Sequence, residues 1–203
     1  MCIIDNPELS CSIFLPIMLS HTIDPNFPPR NLPRFPVVLP RSFPIARDPT
    51  PLRRIKLAVI EEFLPRYGYG AEVLYVGDAA SKYLVRDEAR LRELDFFELA
   101  HGELPDIVAY SANRHWLYLI EAVHSSGPVS PLRHLELSRL TARCRTDIVY
   151  VTAFLNRATF RKFAADISWE TEVWIADAPD HLVHFNGDSF MGPHNPKHQR
   201  RQT

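Results

Sequence analysis

The fold class predicted for this chain is α/β: a mixed β-sheet flanked by helices, with a proline-rich irregular arm on its N-terminal side. Three observations predict it. Short apolar runs of strand length recur from "EVLYVGD" to "TEVWIADAPDHLVHF". Segments of helical period separate several of them. Eleven of the 18 prolines lie in the first 51 residues, which removes that stretch from the sheet.

The arm comes first. "DPNFPPRNLPRFPVVLPRSFPIARDPTP" meets a proline every few residues, so residues 1–51 are expected to be extended and largely uncoupled from a core. Order is expected from Leu52. "PLRRIKLAVIEEFLPRYGYG" puts Ile55, Val59 and Phe63 on one helical face and ends in Pro and Gly. "EVLYVGD" reads as a buried strand, "SKYLVRD" as a short strand and "EARLRELDFFEL" as a helix. "DIVAY" and "WLYLIEAV" are strands separated by the hairpin-sized loop "SANRH". "SPLRHLELSRLTARC" starts a helix at Pro131, with Ser130 as its cap and Leu135 and Leu140 facing inward. "TDIVYVTAF" is a buried strand, "RATFRKFAADI" a helix and "TEVWIADAPDHLVHF" a closing strand–turn–strand. A sheet with helices on its faces accounts for this order. The domain is expected over 52–193, followed by a basic tail at 194–203.

Composition narrows the function classes. The chain has 203 residues, is 46% hydrophobic and has no apolar run long enough to span a membrane. No basic segment precedes "CSIFLPIMLS" and Pro16 interrupts it, so it does not read as a signal peptide, and a cytoplasmic protein is expected. Three cysteines without CxxC spacing argue against disulfides and thiolate-bound zinc. Net charge is +3 over residues 1–56, −7 over 57–192 and +3 over the tail. An acidic compact part fits a carboxylate metal site better than a broad polyanion-binding face.

The chemistry centres on two acids. Asp106 opens one strand directly after Pro105, and Glu121 sits near the end of the next, with fourteen residues between them. A hairpin would bring both carboxylates to one end of the sheet. Paired carboxylates are hard oxygen ligands suited to Mg²⁺, which can activate water against a phosphate. A purely structural reading stands beside this one, with Asp106 as a turn or cap residue and Glu121 neutralised by a nearby arginine.

The acids match the PD-(D/E)XK nuclease pattern, but Val123 stands where its lysine is expected. That lysine orients the attacking water and stabilises the transition state. Of the four lysines (Lys56, Lys82, Lys162 and Lys197), Lys82 is expected to take its place, four residues after Asp78. Arg133 can clamp phosphate and His124 can shuttle a proton. Ser125 and Ser126, in "SSGP", read as a tight turn whose amides can touch a phosphate.

Longer stretches carry a resemblance. "VLYVGDAASKYL", "LPDIVAYSANRHWLYLIEAVHSSGPVSP" and "IVYVTAFLNRATFRKFAADISWETEVWIADAPDHLVHFNGDSFMGP" together resemble the catalytic domain of BsuBI/PstI-type Type II restriction endonucleases, from about Leu52 to Pro193. The resemblance implies a PD-(D/E)XK-like fold, a Mg²⁺ requirement and cleavage of double-stranded DNA at CTGCAG. It places Asp106 and Glu121 as the metal acids, Asp78 and Lys82 in a "GD…K" element, and Glu62 as a helix-borne supporting acid, with Glu61 competing. It also implies a homodimer, since both strands are cut, and a DNA methyltransferase as a genetic neighbour. Family members carry a winged-helix-like recognition region ahead of this domain, where this chain has roughly 50 proline-rich residues. A truncated, non-catalytic remnant is therefore the alternative, and a phosphohydrolase using the same metal chemistry is a third reading.

Other features read as structure. His181 and His184, three apart on a strand, point to opposite faces. Trp116, Trp169 and Trp174 read as packing residues and Cys144 as a buried thiol at a helix end. The basic faces of "RHLELSR" and "RATFRK" read as solvated helix surface, with a DNA-facing rim as the functional alternative.

Overall fold

The computed structural model describes residues 34–39, 50–78, 82–96 and 104–185. The element order is α1 (Pro51–Ala58), a π-helical turn (Val59–Phe63), α2 (Leu64–Tyr67), β1 (Glu72–Asp78), β2 (Lys82–Arg86), α3 (Glu88–Glu93), β3 (Ile107–Ser111), β4 (Trp116–Val123), α4 (Pro131–Leu140), β5 (Asp147–Phe154), α5 (Arg157–Phe163), β6 (Glu172–Ile175) and β7 (Leu182–His184). The strands form one sheet in the order β2-β1-β3-β4-β5-β6-β7. The β4–β5 and β5–β6 pairs are parallel and the other four antiparallel, so the sheet is mixed as expected.

Local chemistry sets the element boundaries. Pro51 begins α1, where its missing N–H has no helical partner to lose. Side chains of Asp87, Ser130 and Asn156 accept backbone N–H groups at the starts of α3, α4 and α5, as N-caps do. The first helix does not stop at Pro65 but continues to Tyr67 after the wider π turn, which accommodates the missing proline donor. Ile55, Val59 and Phe63 are all buried, as their spacing predicts.

Two apolar layers cover the sheet. Ile55, Val59 and Phe63 pack with Ile107, Ala109, Tyr118, Ile120 and Ala122 on one face. Leu137 and Leu140 of α4 pack with Val108, Leu117 and Leu119 on the other. Alternation along β4 therefore sends Tyr118, Ile120 and Ala122 toward α1, and puts Leu117, Leu119 and Glu121 on the α4 side.

Three expectations change. Residues 34–39, expected to be uncoupled from the core, lie against it: Val38 bridges Glu72, Val37 packs on the α1 layer, and Phe35 N–H donates to Pro65 O at 2.7 Å. Leu135 is 47% exposed. Helix α4 turns Arg133, Leu137 and Leu140 inward, and at 3.6 residues per turn that leaves Leu132 and Leu135 outside. Trp169 is 73% exposed, in the turn before β6 where Glu170 has a positive φ of 63°, whereas Trp174 is fully buried. The helix expected over "EARLRELDFFEL" ends at Glu93, with Asp95 at a positive φ of 55° just beyond it, and the last three residues of that stretch and the tail lie outside the described residues.

Candidate active site

The β3–β4 register pairs Ile107 with Ile120, so Asp106 and Glu121 are the next residues outward on neighbouring strands. The convergence expected from a hairpin is present. Asp106 Oδ2 accepts the backbone N–H of Ala122 at 2.9 Å, which ties the carboxylate of one strand to the backbone of the other.

Each acid meets a basic side chain from a different helix. Lys56 of α1 places Nζ 2.6 Å from Asp106 Oδ1 and donates to Gly77 O at 2.8 Å. Arg133 of α4 places Nε 2.8 Å from Glu121 Oε1. Its Nη2 donates to Leu104 O at 3.1 Å and its Nη1 to Glu136 Oε2 at 3.2 Å. Helices on opposite faces thus bring their cations around one end of the sheet to the same pair of acids.

The electrostatics are uneven. Burial pushes the Glu121 carboxyl up to about 7; Arg133 opposes that rise, and nearby Asp106 adds to it. Burial works against the Arg133 charge, yet the Glu121 and Glu136 carboxylates more than offset it and shift Arg133 upward. Glu121 is therefore the labile member of this ion pair. Tyr75 is shifted upward by burial and by the Asp106 charge, which places its phenol near the same carboxylate.

The other sequence candidates fall in different places. Asp78 ends β1 opposite Lys82 and accepts Arg53 Nε at 3.0 Å and Nη2 at 2.9 Å. The Lys82 side chain lies outside the described structure. Glu62 pairs with Arg66, which also holds Asp180, and lies 3.8 Å from Arg34. Glu61 is shifted upward by burial and by Glu62. Among the described residues no group of three or more His, Cys, Asp and Glu side chains is placed to hold a metal ion, so the structure joins neither glutamate to the Asp106–Glu121 pair in that way. His124, Ser125 and Ser126 are exposed in the loop directly after β4. His181 and His184 remain apart in role: His184 Nδ1 meets the buried Glu172 carboxylate at 2.8 Å.

Lys56 is the residue that sequence reasoning passed over. It lies fifty residues from Asp106, inside a run read only for its apolar face. The one available signal was a lysine, one turn after Arg53, within a helix whose other inward positions are apolar.

Two carboxylates suit Mg²⁺, which keeps several waters and takes one or two protein carboxylates together with substrate phosphate oxygens. Asp106 and Glu121 meet that requirement, and the like-charge strain and burial at Glu121 are what a cation relieves.

The fold is the restriction endonuclease-like fold. The solved structure of the SdaI restriction endonuclease matches it with a TM-score of 0.64 and 40% sequence identity, over 72% of this chain and 46% of that one. Residues 36–188 match the BsuBI/PstI restriction endonuclease domain, and the chain belongs to that family. It is 50% identical over 137 residues to the Type II restriction enzyme BsuBI of Bacillus subtilis, covering 68% of this chain and 43% of that enzyme. It is 32% identical over 99 residues to the Type II restriction enzyme AplI of Arthrospira platensis, covering 49% of this chain and 30% of that enzyme. In each case the match spans less than half of the relative's length. Among the described residues no helix is long and apolar enough to cross a membrane.

Proposed function

We propose that this domain hydrolyses phosphodiester bonds of double-stranded DNA as a Mg²⁺-dependent Type II endonuclease. The observation that carries the proposal is the convergence of Asp106 and Glu121 at one sheet end in a chain of this family. Asp106 and Glu121 would hold the metal, which when bound lowers the pKa of water and offsets charge on phosphate. In the reaction a water oxygen bonds to phosphorus as one bridging P–O bond breaks. The leaving oxygen takes a proton, and the second water proton is released to solvent with the new phosphate monoester.

The chain's own residues set the geometry. Arg133 holds Glu121 and the Leu104 carbonyl together, so the segment entering β3 is fixed relative to β4. His124, Ser125 and Ser126 extend from the same end of β4, where exposed donors meet the DNA backbone. Asp78 supports the site through its helix–sheet ion pair with Arg53 of α1, and Glu62 through its pair along the helix with Arg66, which also holds Asp180. Two copies acting as a homodimer would cut both strands.

Plasmid cleavage at low salt with Mg²⁺, run beside Asp106→Ala and Glu121→Ala, tests the proposal. Cleavage by the folded wild type that both variants lose supports it. No cleavage from folded wild type would count for the non-catalytic remnant.

A further inference from the structure

We infer that Lys56, delivered from α1, supplies the fixed positive charge that contacts the scissile phosphate. This rests on the nuclease reading and deepens it. An ammonium carries three donors. Two are committed, to Asp106 Oδ1 at 2.6 Å and Gly77 O at 2.8 Å, and the third has no acceptor among the described residues. The lysine side chain is 6% exposed while that of Asp106 is 22% exposed, so the charge sits just behind the carboxylate that opens to solvent.

The surrounding backbone is shaped to hold it there. The β1–β2 register shifts between Val76 and Gly77, a bulge that turns the ladder at the Lys56 acceptor. Gly77 N–H donates to Asp106 O at 2.8 Å, so the lysine, the glycine and the acid close a ring of contacts. A Cβ at Gly77 would come within 3.2 Å of Tyr75 Oη, so the position is built tight. Stability alone is a weak reason for such a pair, because a well-packed apolar side chain of similar volume usually serves as well. A preorganised cation beside two acids does suit a reaction in which negative charge builds on phosphate. With Val123 in the expected lysine position, the α1 lysine fills the role from the opposite direction in sequence.

The test compares wild type, Lys56→Met and Lys56→Cys alkylated with bromoethylamine, which rebuilds a lysine-length amine. Thermal melting and circular dichroism confirm folding of each. Single-turnover cleavage of a duplex with Mg²⁺ is expected to fall by about 100-fold in Lys56→Met, the cost of one transition-state donor. The alkylated Cys variant should recover most of that loss, and identically treated Lys56→Met should not. Phosphate contact is read separately by ³¹P NMR titration with thymidine 5′-monophosphate, where Lys56→Met should weaken binding by about tenfold, as loss of a charged hydrogen bond does. Cleavage within about threefold of wild type in Lys56→Met would overturn the inference. If wild type does not cleave at all, the nuclease reading fails. The ³¹P titration then decides the inference alone: unchanged binding overturns it, and weakened binding supports it.

Discussion

Glu121 and Arg133 form an ion pair that spans two elements: Nε of the arginine lies 2.8 Å from Oε1 of the glutamate, and both side chains are less than one-fifth exposed. The pair joins the end of β4 to the first turn of α4. It also gives Glu121 a partner in the absence of metal, which is the structural role foreseen for a nearby arginine. The two roles are compatible, because a carboxylate held ready by arginine is also one that a divalent ion can recruit.

Removing the arginine should therefore cost stability. Arg133→Ala removes the cation beside Glu121, which keeps only the Asp106 backbone N–H among the described residues, and leaves the Leu104 carbonyl without its arginine donor. The expected loss is about 2–3 kcal/mol, below the usual figure for a fully buried pair because both partners keep some solvent contact. Urea unfolding at pH 8 measures it, and a loss under about 0.5 kcal/mol would show the pair to be energetically idle.

The raised Glu121 carboxyl makes stability depend on pH. The folded protein holds the proton up to about 7, against 4.5 for the unconstrained group. Below pH 4.5 the contribution is fully present, and it is lost as pH rises through about 7, since the native state binds more protons than the unfolded chain in that window. The shift of 2.5 between those two values corresponds to roughly 3 kcal/mol. Unfolding free energies measured from pH 5 to 8 should fall for wild type more steeply than for Glu121→Gln. Parallel curves would contradict the placement of Glu121.

The same window should govern metal affinity. A proton and a divalent ion compete for the Glu121 carboxylate, so Mn²⁺ binding by calorimetry should weaken as pH drops from 7.5 to 6. Each unit below the acid's pKa costs up to about tenfold. Glu121→Gln should bind weakly at every pH.

Asp106→Asn keeps the shape of the side chain and its oxygen toward Ala122 N–H but removes the charge facing Lys56. Cleavage should fall by on the order of 10³-fold. Stability should also fall, because Lys56 is left buried without an opposing charge. Cleavage that survives intact would remove Asp106 from the metal site.

Away from the site, Tyr118 tests the α1 layer. Its buried hydroxyl donates to Tyr67 O at 2.8 Å, pinning the end of α2 to β4. Tyr118→Phe should cost about 1–2 kcal/mol by stranding that carbonyl. Thermal melting should show the drop with cleavage per folded molecule unchanged.

The amino-acid sequence by itself determined the order of elements, the capped start of α4 and the adjacency of Asp106 and Glu121. These are local properties: strand periodicity, a Ser-Pro helix start, and a hairpin-sized loop between two strands. The resemblance of whole stretches also carried the family, since long runs hold more information than a spacing of acids. The tertiary structure decided which cations meet those acids. The Lys82 side chain, expected at this site from its closeness to β1, lies outside the described residues, and proximity along the chain says nothing of a helix fifty residues from Asp106. Only the packing of α1 on the sheet brings Lys56 to Asp106, and only the rotation of α4 turns Arg133 inward and Leu135 out. Long-range side-chain encounters depend on how helices settle on a twisted sheet, and no local pattern encodes that.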